Sequence, residues 1–218
     1  MFMLEPVIVV GTGRCGTSTV AKWLHEAGVC MGTRFSEEMN PGIEPGFWED
    51  LDFKELNKSY QEIWRVRVLE DASFKRDLEA LVQKKKKEAL TPWGFKDPRT
   101  ANPKVLPHYL DLLPKALWVH CFRPLDDCID SWKRSWPSTP LHEITLTIGN
   151  RDRTLHHYFE NLGILSVFLH FDLIKNGLGK GLLFERLERH LLTGERDENN
   201  ALDAEGSIGV GSDNSGVG

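Results

Sequence analysis

The chain has 218 residues and a formal net charge of -5, with 40% hydrophobic and 27% charged residues. This composition is typical of a soluble protein with one well-buried domain and little room for a second. The sequence contains no apolar run approaching the roughly 20 residues that span a bilayer, so we expect no membrane association.

The net charge is concentrated at the C-terminus. Residues 195–218 carry six acidic residues and one arginine, a charge of -5 that equals the total and leaves residues 1–194 neutral. Because this segment is rich in Gly, Ser and Asn, we predict a folded domain over 1–194 and a disordered acidic tail over 195–218. A neutral domain does not favour nucleic-acid binding. The four cysteines show no disulfide or zinc spacing, which favours free thiols and a cytoplasmic location.

The first predicted elements are a strand over 6–10, a glycine-rich loop, and a helix that ends near Gly28. The loop reads GTGRCGTS, and its Gly11 and Gly16 have the spacing of a phosphate-binding P-loop. Thr17 stands where that motif has lysine, and the cation is instead Arg14, within the loop. Loop amides, the helix dipole, nearby hydroxyls and a guanidinium all favour an oxyanion site.

Apolar strands and helical patterns then alternate along the chain, which predicts a P-loop-like three-layer α/β/α fold with a central parallel sheet. The lysine run 84–87 is expected to form a solvated helix face. The remaining predicted segments are a loop at 33–50, a helix at 51–63, a strand at 64–69, a helix at 73–90, a strand ending near Lys96, a helix at 103–113, a strand at 116–123, a helix following Pro124, a helix ending at Gly163, a strand at 164–172 and a helix at 181–192.

A P-loop nucleotide kinase is one alternative for this pattern. Such an enzyme uses the loop lysine and a magnesium ion held partly by an acidic residue at a strand end. Here the best candidate for that strand, ALWVHCFR, ends in Arg123. A cation at that place indicates a second anion subsite, so we expect no metal.

Two motifs resemble those of sulfotransferases that use 3′-phosphoadenosine 5′-phosphosulfate (PAPS). The loop segment 14–18, RCGTS, is similar to their phosphosulfate loop, and Arg123 followed eight residues later by Ser131 is similar to their second signature. The pieces FWEDLDFKELN and GFKDPR resemble bacterial and phage-type members, and VFLHFDLIKNG resembles the family's late strand and the turn after it. The resemblance covers residues 6 to about 192.

The resemblance implies metal-independent, in-line transfer of a sulfuryl group to a hydroxyl or amine. Arg123 and Ser131 would hold the 3′-phosphate of the donor, and Arg14 with the loop amides would stabilise the leaving 5′-phosphate. Cys15 replaces the usual serine, and the basic C-terminal segment of cytosolic members is absent, so Arg151, Arg153 or Lys180 would have to supply its charge. The implied donor-binding residues are Gly13, Arg14, Cys15, Gly16, Thr17, Ser18, Arg123 and Ser131.

The catalytic residues are expected to include Arg14 and Lys96, the second cation at a strand end. Cytosolic members have a histidine two residues after this lysine, where Pro98 stands here. Related families use a carboxylate base, and the candidates here are Asp97 and Glu49. The acceptor is a small molecule or a glycan, and loop 33–50 and the segment 132–142 are expected to line its site. A non-catalytic PAPS-binding protein of the same fold remains an alternative.

Overall fold

The computed structural model of the chain describes residues 5–35, 48–64, 71–89, 91–164 and 166–193. Within these residues four parallel strands form one sheet in the order β2-β1-β3-β4, so β1 lies inside the sheet between β2 and β3. The strands are β1 (Val7–Gly11), β2 (Gly94–Lys96), β3 (Leu117–Phe122) and β4 (Ser166–His170).

Helices connect these parallel strands and cover both faces of the sheet, as the sequence predicts. A 3₁₀ turn at Pro98–Ala101 follows β2, and a π turn at His156–Asn161 precedes β4. The helices of the described residues are α1 (Thr17–Glu26), α2 (Leu51–Trp64), α3 (Asp71–Glu88), α4 (Leu106–Leu112), α5 (Leu125–Ser135), α6 (Leu141–Leu155), α7 (Phe171–Lys175) and α8 (Gly179–Thr193).

The uninterrupted apolar run of β1 follows from its position. Successive strand residues point to opposite faces, and both faces of this sheet are covered. Val7 and Val9 enter a cluster with α1, α6 and α8, whereas Ile8 and Val10 enter a second cluster with α2, α3 and α4. The central sheet is therefore buried on both sides, which confirms the three-layer α/β/α arrangement.

Most of the predicted elements are present, with shifted ends. The helix expected over 51–63 is α2, and the one expected over 73–90 is α3. The helix expected to end at Gly163 has Leu155, Tyr158, Phe159 and Leu162 at helical spacing, and these residues fall mainly on the π turn rather than on an α-helix. The wider pitch of a π turn breaks the i, i+3, i+4 alignment, and Leu162 is 56% exposed while Phe159 is buried. Position 64 of the expected strand 64–69 is the last residue of α2, and positions 65–69 lie outside the described residues. The tail 195–218 also lies outside them.

The lysine run 84–87 is not a uniformly solvated face, and this expectation is wrong for Lys85. Its ammonium lies 2.6 Å from Asp50 Oδ2 and 2.9 Å from Asp52 Oδ2, and its side chain is 7% exposed. The other carboxylate oxygen of Asp50 accepts the backbone N–H of Asp52 at 2.9 Å, in the first turn of α2. Lys85 thus joins α3 to the start of α2, next to Glu49.

In the described part of the chain, no helix is long and apolar enough to cross a membrane.

Candidate active site

The glycine-rich loop between β1 and α1 has a backbone that few residue types tolerate. Gly13 and Gly16 have φ angles of 99° and 89°, and Arg14 between them has φ 62°. A left-handed conformation costs a non-glycine residue about 1–2 kcal/mol, so retaining arginine there indicates a role for its side chain. A Cβ on Gly11 would collide with Cys15 Sγ and the Cys121 carbonyl, which explains the glycine at the strand end.

Cys15, predicted to contact the donor, has a fully buried side chain. The loop turns this side chain into the core, where burial raises the pKa of its thiol. Its neighbours Gly13, Arg14, Gly16, Thr17 and Ser18 all line a cleft of about 480 Å³. At position 15 the sulfur therefore faces the core, and a contact with a bound anion would have to come from the backbone.

Arg14, Arg123 and Ser131 meet in one wall of the cleft. The Arg14 Nε donates to Ser131 Oγ at 3.2 Å, and Arg123 Nη1 donates to the Arg14 carbonyl at 3.1 Å. Parallel pairing of Gly11 with Cys121 places the loop beside the end of β3, and α5 carries Ser131 back over it. These three residues and Phe171, whose ring centroid lies 4.1 Å from the Arg123 guanidinium, are called the arginine wall below.

The arginine wall carries positive charge with little compensation. Burial and the nearby charges of Arg123 and Arg134 lower the pKa of the Arg14 guanidinium. Asp127 Oδ2 lies 3.8 Å from Arg123 Nε, and the Asp127 side chain is 58% exposed, so this pair is weak. Arg123 Nε is buried and has no hydrogen-bond partner among the described residues. A buried donor of this kind fits an anion that would complete its bonding.

The opposite wall of the cleft is built around Glu49. Lys96 Nζ, at the end of β2, lies 3.0 Å from Glu49 Oε1, and Lys54 Nζ and Arg99 Nη1 lie 3.4 and 3.5 Å from Oε2. Burial would raise the pKa of Glu49, but the charges of Lys96, Arg99 and Lys54 outweigh it and lower the pKa to about 2. Glu49, Lys54, Lys96 and Arg99 are called the lysine wall below.

Asp97, the other predicted base, is fully buried. One of its oxygens accepts the Arg99 backbone N–H at 3.1 Å and the Arg99 guanidinium at 2.9 Å, and the other accepts Asn57 Nδ2 at 2.9 Å. Asn57 in turn accepts the Tyr109 hydroxyl at 3.0 Å. These contacts cap the 3₁₀ turn and attach it to α2 and α4, so Asp97 acts beneath the cleft on the position of Arg99.

Sequence reasoning did not assign several residues that line the cleft. Of its described lining residues, six are Lys or Arg, and Glu49 is the acidic one. Trp132 and Trp136, in the segment expected to line the acceptor site, do lie there, whereas Trp48 packs against His25 and Phe35, and Phe47 lies outside the described residues. The lining residues without a predicted role at this site are Lys54, Pro98, Arg99 and Phe171.

Three basic residues were proposed to replace the charge of a C-terminal segment. Of these three, only Arg151 lines the cleft among the residues that the structure describes. Arg153 is exposed and donates to Asn150 Oδ1 at 2.6 Å, and Lys180 lies 3.8 Å from Glu26. In the described residues no group of three His, Cys, Asp or Glu side chains is arranged to hold a metal ion.

The fold is similar to that of a solved sulfotransferase domain. A sulfotransferase domain from the curacin biosynthetic pathway superposes with a TM-score of 0.51 at 14% identity, over 89% of this chain and 79% of that one. The sulfotransferase STF1 from Mycobacterium tuberculosis H37Rv gives a TM-score of 0.46 at 14% identity, over 87% and 68% of the two chains. No protein-family model and no curated protein matches the sequence. The chain therefore has a fold that a sulfotransferase domain adopts.

Proposed function

We propose that this protein is a sulfotransferase that moves the sulfuryl group of PAPS to a hydroxyl or amine acceptor. The observation that carries the proposal is the arginine wall: residues 117 positions apart meet through the 3.2 Å contact between Arg14 and Ser131. A loop that favours a 5′-phosphate lies beside a second arginine whose charge is only weakly compensated. This arrangement fits a nucleotide with phosphate groups at two positions.

Two groups of residues bind the two ends of the donor. The amides of residues 14–18 and the Thr17 and Ser18 hydroxyls bind the 5′-phosphosulfate at the N-terminus of α1. Arg123 and Ser131 bind the 3′-phosphate, which supplies the partner that Arg123 Nε lacks among the described residues. Gly13 and Gly16 allow the backbone to approach the anion closely.

The acceptor oxygen or nitrogen attacks sulfur in line, forming a bond to sulfur while the bond from sulfur to the bridging oxygen breaks. Both electrons of that bond leave with adenosine 3′,5′-bisphosphate, and Arg14 with the loop amides stabilises the charge on its 5′-phosphate. Lys96 contacts the sulfuryl oxygens from the lysine wall. A sulfuryl group carries less charge than a phosphoryl group and repels the nucleophile less, so these cations suffice without a metal.

Glu49 accepts the acceptor's proton in this proposal, because it is the carboxylate that lines the cleft in the described structure. A pKa of about 2 makes it a weak base at rest. The bound sulfuryl group draws Lys96 away from Glu49, which raises the pKa of the carboxyl as transfer begins. Asp97 has a positioning role through Arg99.

A non-catalytic PAPS-binding protein is the second candidate. The low pKa of Glu49 and its contacts with three cations favour it, because a carboxylate fixed in this way is a poor proton acceptor. In that case the arginine wall would bind the nucleotide and the lysine wall would be structural.

Thermal unfolding with adenosine 3′,5′-bisphosphate or with ATP and magnesium tests the donor. Near 100-fold excess over Kd, the bisphosphate should raise the melting temperature by about 5 °C or more. Ser131→Ala should weaken bisphosphate binding about tenfold, while Ser135→Ala, one turn further along α5, should change it less than about twofold. Stabilisation by ATP and not by the bisphosphate would favour a nucleotide kinase and overturn the proposal.

Transfer itself is measured with ³⁵S-labelled PAPS and a broad panel of hydroxyl and amine acceptors. Labelled product that depends on Arg14 and Lys96 supports the sulfotransferase. Tight binding of the bisphosphate without transfer to any acceptor would support the non-catalytic protein instead.

A further inference from the structure

Arg151 is a buried arginine of α6 that the proposed reaction does not use. Its side chain lines the cleft, and the residue is only 8% exposed. One of its guanidinium nitrogens donates to the Thr12 carbonyl at 3.0 Å. Arginine has five N–H donors in a planar fork, so this bond leaves most of the fork available to a ligand in the cleft.

The charge of Arg151 has no direct counterion in the part of the chain that the structure describes. None of the carboxylates in the described residues forms an ion pair with it, and burial lowers the pKa of its guanidinium to about 10. The indole ring of Trp132 lies 5.9 Å from the guanidinium, which provides a weaker attraction than a carboxylate would. Burying a cation in this way is costly unless a ligand compensates the charge.

Arg151 lies where the glycine-rich loop meets the turn at Pro98–Ala101. Its Nη1 lies 3.5 Å from the point where a Cβ of Gly13 would be, and Pro98 Cβ lies 3.9 Å from the same point. The charges that act on it most are those of Asp97, Arg99 and Glu49, which belong to the lysine wall and the turn beneath it. Arg151 therefore borders the lysine wall, where the acceptor would react, as well as the glycine-rich loop.

We propose that Arg151 binds an oxyanion of the acceptor, so that the acceptor of this enzyme is an acidic molecule. This inference rests on the proposed function and specifies its acceptor class. The guanidinium of Arg151 pairs with a carboxylate or a similar group, and the ring of Trp132 packs against the adjoining part of the molecule. The attacking hydroxyl or amine then lies beside Glu49 and Lys96.

Benzoate and benzyl alcohol test this assignment, because they share a ring and differ in the carboxylate. Titration calorimetry of the full chain, with and without saturating adenosine 3′,5′-bisphosphate, should show benzoate binding at least about tenfold more tightly. Arg151→Gln should remove that preference, and Arg153→Gln, which deletes the same charge two residues away on the exposed face, should retain it. All variants should bind the bisphosphate within about twofold of the parent.

Arg151→Lys provides a second variant in case Arg151→Gln does not fold. It keeps the charge but loses the bidentate fork, so benzoate binding should weaken several-fold while bisphosphate binding is unchanged. Equal binding of both probes by the parent, or unchanged benzoate binding by the Arg151 variants, would overturn the inference. An equal loss of bisphosphate affinity would assign Arg151 to the donor and overturn it as well. If the bisphosphate fails to bind the parent, the proposed function falls, and the titrations without nucleotide still decide the role of Arg151.

Discussion

The two walls of the cleft are both cationic, but their basic side chains have different kinds of partner. In the arginine wall, Arg14 and Arg123 contact a hydroxyl, a backbone carbonyl and an aromatic ring. In the lysine wall, Lys96, Lys54 and Arg99 surround one carboxylate. A bound anion would therefore stabilise the arginine wall most. In the lysine wall, a bound anion would have to replace Glu49 as the partner of the basic side chains. This difference matches the roles proposed above, in which the first wall binds the donor nucleotide tightly and the second holds a group only during transfer.

Glu49→Gln should have the largest effect on activity. It tests whether the lysine wall takes part in the transfer reaction or only supports the structure. If Glu49 accepts the proton, transfer from PAPS should fall about 10³-fold, while bisphosphate affinity stays equal or rises because a negative charge is lost. Steady-state kinetics with labelled PAPS measure the first effect and calorimetry the second. Glu55→Gln on the exposed face of α2 is the control, and activity of Glu49→Gln within about threefold of the parent would show that another group takes the proton.

Arg123→Gln should affect the arginine wall alone. Loss of its charge-assisted contacts should weaken bisphosphate binding by about 30- to 100-fold. The exposed Arg76→Gln serves as the control for loss of one positive charge. An Arg123→Gln variant that binds the bisphosphate like the parent would contradict the assignment of the 3′-phosphate to this wall.

The smallest effect concerns stability and pH. Because the folded-state pKa of Glu49 is lowered from 4.5 to about 2, its ion pairs contribute stability that is fully present above pH 4.5 and lost as the pH falls toward 2. Urea unfolding without ligand should show a loss of about 2 kcal/mol between pH 5 and 2.5 that is absent from Glu49→Gln. An equal pH dependence in both proteins would show that Glu49 is not held by Lys96 and its neighbours.

The meeting of Arg14 and Arg123 in the arginine wall could be predicted because each belongs to a motif that is local in sequence, whereas Phe171 was not predicted to lie there. A glycine-rich turn after an apolar strand and an arginine at the end of a second strand must meet when the two strands pair in parallel. Three other basic residues of the cleft were harder to predict from the sequence. Lys54, Arg99 and Arg151 reach the cleft through the packing of α2, a 3₁₀ turn and α6, and no local pattern marks them. The direction of the Cys15 side chain depends on the left-handed backbone at Arg14 and Gly16, which the residue types permit but do not specify.

The pairing of Gly11 with Cys121 also limits where residues can be inserted or deleted without disturbing the site. Both main cations of the arginine wall lie within three residues of that pair, so the hydrogen-bond ladder of the sheet, and not a surface loop, sets their separation. A residue added in the connection between α5 and α6 leaves this distance intact. One residue inserted inside β3 turns every side chain beyond it to the opposite face of the sheet and shifts Arg123 along the strand by about 3.3 Å. Natural length variation among proteins with this site should therefore be confined to the helix connections.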